Sequence, residues 1–412
     1  MTSRISDVDL ARSLKGGFVS GHAEVDGVRL HYVAGGSGDP LLLLGGWPQT
    51  WWQFHKVMPA LAEHFRVVAV DLRGMGASDK PCGGFDKKTM AADIRGLVRH
   101  LGYDAVHLVG HDIGGMVAYA FAANHPDATR RIALLDIAPP DDRFFGYSLL
   151  PVPGRHQVDG DINAAPGRFL WWFAFNQVPG LPERLIAGRS RFLIDWMIDY
   201  LAADAAAVTD YDRDVYARAY ADGDAIRAAN GWYRTLAADI EHGKTYAPLT
   251  VPVLALGGGA GTRAILEPVL VPRAVDLEIV EVADSGHYLA EEQPAAVVAH
   301  LLRFLRRPRL GTAREEVGPR SRQGSVGCRV RGSGEGTGHG VGGEASVPAT
   351  SINPVDDKTR AGAIGEGTPP LPTVLGRDLA GVVVDGGDSG WRVRGARDCH
   401  VAPTRLGAGD LG

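Results

Sequence analysis

The stretch Gly110-His111-Asp112-Ile113-Gly114 constrains this chain more than any other. The run Val106-His107-Leu108-Val109 before it reads as a buried strand, and Met116-Val117-Ala118-Tyr119-Ala120-Phe121-Ala122 after it reads as a helix. A strand can turn into a helix this abruptly only where flanking Cβ atoms are missing, which accounts for the glycines. The residue at the apex takes up strained backbone and presents its side chain at the edge of the sheet. That is the place for a nucleophile, and here it holds Asp112 rather than Ser or Cys. A carboxylate attacks saturated carbon and leaves an ester on the enzyme. The expected chemistry is therefore epoxide opening or halide displacement, not acyl transfer.

The surrounding pattern predicts an α/β fold. Strand-like runs occur at residues 23–26, 28–33, 40–44, 66–71, 106–109, 131–136, 251–256 and 277–282. Helical spacing separates many of them, over 51–65, 90–101 and the stretch after Asp112, and a last amphipathic helix covers 295–306. Strands alternating with helices predict a mostly parallel eight-stranded sheet with helices on both faces. The alternation stops over residues 139–246, where helical patterns such as 187–200 and 215–221 run without a buried strand. This segment is expected to be an inserted helical lid. The expected division is a polar lead-in at 1–21, a core in two parts at 22–138 and 247–306, and the lid at 139–246 between them. Gly, Arg and Ser crowd the next segment, so 307–349 reads as disordered linker.

Composition narrows the function. A net charge of −5 gives no basic footprint for nucleic acid. Cys82, Cys328 and Cys399 are odd in number and far apart, which suggests neither a disulfide framework nor a zinc site. The N-terminal residues lack an apolar core like that of a secretion signal, and no apolar run reaches bilayer-spanning length. The expectation is a soluble cytoplasmic protein that neither spans a membrane nor needs a metal or organic cofactor.

An ester on Asp112 needs a base to activate water. His287 lies in Ala283-Asp284-Ser285-Gly286-His287-Tyr288, between a strand and a helix late in the chain. That placement singles it out among 14 histidines, most of which read as surface or packing residues. The histidine needs a carboxylate to fix its tautomer. The loop after the 251–256 strand, Gly257-Gly258-Gly259-Ala260-Gly261-Thr262, contains no acid. Asp136, ending the apolar strand 131–136, is the expected partner, because an acid there is costly without one. Ester hydrolysis also needs donors for the oxyanion, and the backbone N–H groups of Trp47 and Ile113 are the candidates.

These residues together resemble the epoxide hydrolase branch of the α/β-hydrolase superfamily, which also includes haloalkane and fluoroacetate dehalogenases. The resemblance spans residues 22–306 and rests on Gly45-Gly46-Trp47-Pro48-Gln49-Thr50-Trp51-Trp52, on Asp71-Leu72-Arg73-Gly74-Met75-Gly76-Ala77-Ser78-Asp79-Lys80-Pro81, on Gly110–Gly114 and on Gly286-His287. It implies the α/β-hydrolase fold. One departure is Gly45, where the family usually has a His that orders the turn.

The lid is expected to decide between epoxide and halide. The resemblance implies lid phenols that meet the epoxide oxygen as the ring opens. Tyr233, in Asn230-Gly231-Trp232-Tyr233-Arg234, matches one such donor, whereas Trp172 stands where the other is expected. An indole N–H donates a hydrogen bond but is not a useful acid. In fluoroacetate dehalogenases a Trp at this place helps hold the halide, but their two arginines beside the nucleophile are Ile113 and Met116 here. Haloalkane dehalogenases place a Trp directly after the nucleophile, again the position of Ile113. The favoured reading is an epoxide hydrolase giving a vicinal diol. A dehalogenase with the same Asp-His-Asp set is the alternative, and a non-catalytic ligand-binding homologue a further one. Trp47, Trp171, Phe175 and Tyr288 are the expected pocket lining, with lid packing the plainer reading for the aromatic residues. The expected partner is a small epoxide or organohalide, and an apolar lid leaves a homodimer open. Residues 350–412 resemble a truncated N-terminal piece of medium-chain quinone or alcohol dehydrogenases, with no dinucleotide-binding fingerprint following, or else form a disordered tail.

Overall fold

The computed structural model describes residues 6–146, 170–259 and 262–307, together with the backbone of 382–387, 390–394 and 399–401. The chain divides into two compact units, Met1–Leu310 and Gly311–Gly412. In the first unit eight strands form one sheet: β1 (Val19–Val25), β2 (Val28–Gly36), β3 (Asp39–Leu44), β4 (Phe65–Val70), β5 (Val106–His111), β6 (Thr129–Leu135), β7 (Val253–Gly258) and β8 (Leu277–Val282). Their order is β1-β2-β4-β3-β5-β6-β7-β8. The first two junctions are antiparallel and the rest parallel. The central strands carry long apolar runs because both faces are covered. Leu41 to Leu44 of β3 are fully buried, as are Leu108 and Val109 of β5.

Helices α1 (Asp7–Ser13), α2 (Met58–Ala62), α3 (Lys87–His100) and α4 (Ile113–Asn124) precede β6. Between β6 and β7 come α5 (Trp171–Phe175), α6 (Leu181–Ile186), α7 (Ser190–Leu201), α8 (Asp210–Ala219), α9 (Gly223–Arg234) and α10 (Leu236–Lys244). Then follow α11 (Thr262–Leu270), α12 (Leu289–Glu292) and α13 (Pro294–Leu305). Helix α4 is buried from Ile113 to Ala122, and its small residues let it lie close on the sheet. A Cβ on Gly114 would stand 2.0 Å from the Leu44 carbonyl oxygen, and one on Gly110 would stand 2.3 Å from that of Gly114. Backbone cannot yield there, so Gly114→Ala is expected to cost about 4 kcal/mol or more. Thermal melting checks this, with a Tm lower by roughly 10 °C expected.

Several boundaries differ from the sequence reading for local reasons. The stretch read as a polar lead-in carries α1, whose Leu10 and Ala11 are buried and whose Asp7 accepts from the Trp51 indole at 2.7 Å. The helix expected over 51–65 is broken into a 3₁₀ turn, Trp51–Phe54, and α2. Pro59 fits only a first helical turn, so the helix restarts there. Strand β7 begins at Val253 instead of Val251, since Pro252 has no N–H for the ladder. Helix α8 begins at Asp210, where Thr209 and Asp212 form a reciprocal cap.

In the second unit β9 (Val382–Gly387), β10 (Gly390–Arg394) and β11 (Cys399–Val401) pair antiparallel in the order β11-β10-β9. The linker expected from 307 to 349 lies outside the described residues apart from its first, and so does most of 350–412. No helix among the described residues is long and apolar enough to cross a membrane.

Candidate active site

Parallel strands deliver their C-terminal ends to one edge of the sheet, and the expected catalytic residues gather there. Asp112 sits between β5 and α4 with φ 50° and ψ −124°. This is backbone that a non-glycine residue adopts only under constraint. The turn after β3 comes close to it, and a Cβ on Gly46 would meet the Asp112 Cβ at 2.3 Å. That approach lets the Trp47 N–H donate to Asp112 Oδ1 at 2.9 Å. The Ile113 N–H bonds to the same carboxylate. The two donors expected for an oxyanion therefore meet on Asp112 itself. Burial pushes its carboxyl pKa up, opposed by His287 and by these two N–H groups.

Asp136 follows β6, also at φ 50°. Its Oδ1 accepts from the Gly258 N–H at 2.9 Å, and its Oδ2 lies 2.8 Å from His287 Nδ1. The other ring nitrogen of His287, Nε2, stands 3.8 Å from Asp112 Oδ2. The ends of three strands, β5, β6 and β8, thus bring the two acids to opposite nitrogens of one imidazole. The glycines after Leu256, read as loop, extend β7 to Gly258, so β7 supplies an N–H to Asp136 rather than an acid to His287.

The Gly45 departure has a structural counterpart. A Cβ at Gly45 would lie 2.3 Å from Gln53 Nε2, so the Gln53 side chain fills the space a larger residue would need. Gln53 donates to the Thr50 carbonyl at 3.2 Å and pairs with His111 Nδ1 at 2.7 Å. His111 Nε2–H donates to the His287 carbonyl at 2.8 Å. Burial, with His287 adjacent, holds the His111 pKa well below the usual range.

The helical insertion contributes Tyr233 from α9 and Trp172 from α5, both buried. The Tyr233 ring meets Trp47 edge-on at 5.6 Å and Phe173 at 5.2 Å. Burial, then the Asp112 charge, keeps its phenol pKa far above the usual value. The nearby Trp172 side chain opposes this shift. Trp171 packs on Phe175 and Trp196, at 5.6 and 5.1 Å, within a half-buried aromatic group of the insertion. Tyr288 is buried with its ring 5.3 Å from that of His287.

Sequence reasoning missed the acids of α12. Glu291 is buried, accepts from the Tyr216 hydroxyl at 2.7 Å and from Gln49, and has its pKa pushed up by burial to about 8. Glu292 binds backbone on both sides of His287. Two adjacent acids in a short polar stretch carry no signal of burial. Only the insertion lying over them would reveal it. Among the described residues, Asp86, Asp239 and His242 bring metal-ligand atoms within 4.8 Å of one another. Lys87 already neutralises Asp239 there at 2.8 Å.

The chain is similar to several known proteins. A family model described as alpha/beta hydrolase fold matches residues 39–169. A soluble epoxide hydrolase from Corynebacterium sp. (strain C12) is 36% identical over 299 residues, 68% of this chain and 95% of its own length. A fluoroacetate dehalogenase from Burkholderia sp. is 31% identical over 313 residues, 73% of this chain and 98% of its own. Among solved structures, Cfl2 from Burkholderia cenocepacia is 36% identical with a TM-score of 0.62, covering 71% of this chain and 96% of its own. The epoxide hydrolase CorEH is 35% identical with a TM-score of 0.59, covering 70% and 98%.

Proposed function

The chain belongs to the α/β-hydrolase superfamily, and from that premise we propose that it is an epoxide hydrolase working through an ester on Asp112. One observation carries the reading: a carboxylate at the strained apex has one oxygen on the Trp47 N–H and the other beside His287 Nε2. Asp112 Oδ2 attacks a ring carbon, and the C–O bond breaks toward the epoxide oxygen. Tyr233, neutral through burial, gives that oxygen its proton. Asp112 Oδ1 is then the ester carbonyl, already lying against Trp47 N–H. His287, steadied by Asp136, takes a proton from water, and the hydroxide adds to the ester carbon. The negative charge falls on Oδ1, where preorganised N–H groups stabilise it most. Collapse releases a vicinal diol as the imidazolium proton passes to the departing alkoxide; the proton left on the new Asp112 hydroxyl returns to the Tyr233 phenolate, and water has been added across the ring.

Two features favour an epoxide over a haloacid. Ile113 and Met116 beside Asp112 are buried and apolar, and offer no cation to a substrate carboxylate. The insertion presents a neutral phenol, which suits an oxygen that acquires charge. The dehalogenase reading retains one specific support, the Trp172 indole near Tyr233, since those two donors would also suit a halide.

A single turnover in ¹⁸O-water, with enzyme in excess over styrene oxide, tests the ester. The first diol is expected to carry unlabelled oxygen from Asp112, and label is expected to enter that side chain. Label in the first diol overturns the ester route. Fluoride release from fluoroacetate without diol from any epoxide would instead establish the dehalogenase. Tyr233→Phe is expected to lower kcat on the epoxide roughly 100-fold through loss of the acid. Pre-steady-state kinetics should place the loss in ester formation.

A further inference from the structure

Glu292, the last residue of α12, uses one carboxylate to collect four backbone N–H groups. Oε1 accepts from Tyr288 at 2.9 Å, and Oε2 accepts from Gly286 at 2.8 Å, Ala203 at 2.7 Å and Asp204 at 3.1 Å. Two of these donors flank His287, and the other two follow α7 in the helical insertion. The His287 N–H itself donates to the Leu201 carbonyl at 3.0 Å, again in the insertion. A Cβ on Gly286 would stand 2.3 Å from the Leu201 oxygen and 2.5 Å from the Ala203 nitrogen, so the two backbones meet without a side chain between them. The histidine loop leaves the edge strand β8, yet these ties run to the insertion. Only a side chain that accepts on both oxygens satisfies four donors at once. Charge-assisted bonds of this kind are the strong ones.

We propose that Glu292 is the positioning residue for His287: it fastens the histidine loop to the seated insertion and so sets the imidazole for water activation. This rests on the reading of His287 as the base of an ester mechanism. The two half-reactions then separate. Attack by Asp112 needs no particular aim of the imidazole, whereas delivery of water to the ester does. The isosteric Glu292→Gln keeps the shape but turns an NH₂ group toward N–H donors, and the loop shifts. A displacement near 1 Å at a reacting group lowers a rate about 100-fold.

Rapid-quench mass measurement of the full chain with styrene oxide tests this, alongside His287→Gln. In E292Q, ester formation is expected to stay within about threefold of the native rate, while ester decay slows about 100-fold. The ester should then accumulate in the steady state. The low-field proton signal of His287 Nδ1, bonded to Asp136, should shift in the same variant. Should E292Q not fold, Glu292→Asp carries the test. It keeps the charge but shortens the reach to the four donors, leaves the backbone of the histidine loop unsubstituted, and is expected to slow ester decay about tenfold. Native kinetics in the variants overturn the proposal, as does an equal fall in both half-reactions. Ester absent from H287Q removes the ester reading, and the role of Glu292 with it. Ester trapped in H287Q but not in E292Q refutes the role of Glu292 alone.

Discussion

A chain with His287 replaced by Gln is expected to consume one epoxide and stop. Gln approximates the reach of the ring and can still hydrogen-bond Asp136, so the site stays packed. It cannot take a proton from water. Asp112 keeps its two N–H partners and its attack on carbon proceeds. The product is an ester with no base beside its carbonyl. Turnover should fall by about 10⁴-fold or more, in line with removal of a catalytic histidine elsewhere. The intact mass should rise by the mass of the substrate, and digestion should locate the adduct on the peptide holding Asp112. Turnover lost without any mass change would sink the two-step scheme. Turnover retained would remove His287 from it.

Asp112→Ala is expected to be the more complete lesion. It removes the attacking oxygen and leaves His287 with nothing to hydrolyse. The expected fall in turnover is roughly 10⁵-fold or more, and the adduct seen in H287Q should vanish in the double variant. Ala is preferred to Asn, because water activated by His287 beside an amide would regenerate the acid. The fold should survive. The lost carboxylate leaves the N–H groups of Trp47 and Ile113 without their partner, a cost of about 1–3 kcal/mol. Burial of its charge is relieved at the same time. Circular dichroism separates this from unfolding. Any turnover above background with a native spectrum would show that water, not Asp112, attacks the substrate.

The sheet and the elbow were legible because each rests on a short-range rule. Apolar runs such as Leu41 to Leu44 are needed in a sheet covered on both faces, and Gly110 and Gly114 are needed where backbones touch. Asp136 could be singled out because an acid closing an apolar strand demands a partner, and the structure sets it 2.8 Å from His287. The helical insertion was less legible. Its helices could be recognised from spacing, but not how they lie against the sheet. The pairing of Glu292 with Ala203 and Asp204 joins residues about 90 positions apart whose local sequences are unremarkable. The same holds for Gln53 against Gly45, where a side chain from a nearby turn takes the place of a missing one. Long-range packing decides such contacts, and no periodicity encodes them.

The edge strand β8 is the last of the sheet in chain order and leads directly into His287. During synthesis, the ribosome releases the elbow and both acids well before the imidazole. A chain still growing past β7 carries an exposed hydrogen-bonding rim and an attacking group with nothing to discharge it. Turnover, as distinct from attack, therefore arrives only at the end of the fold's assembly, when the final strand docks and seals the rim.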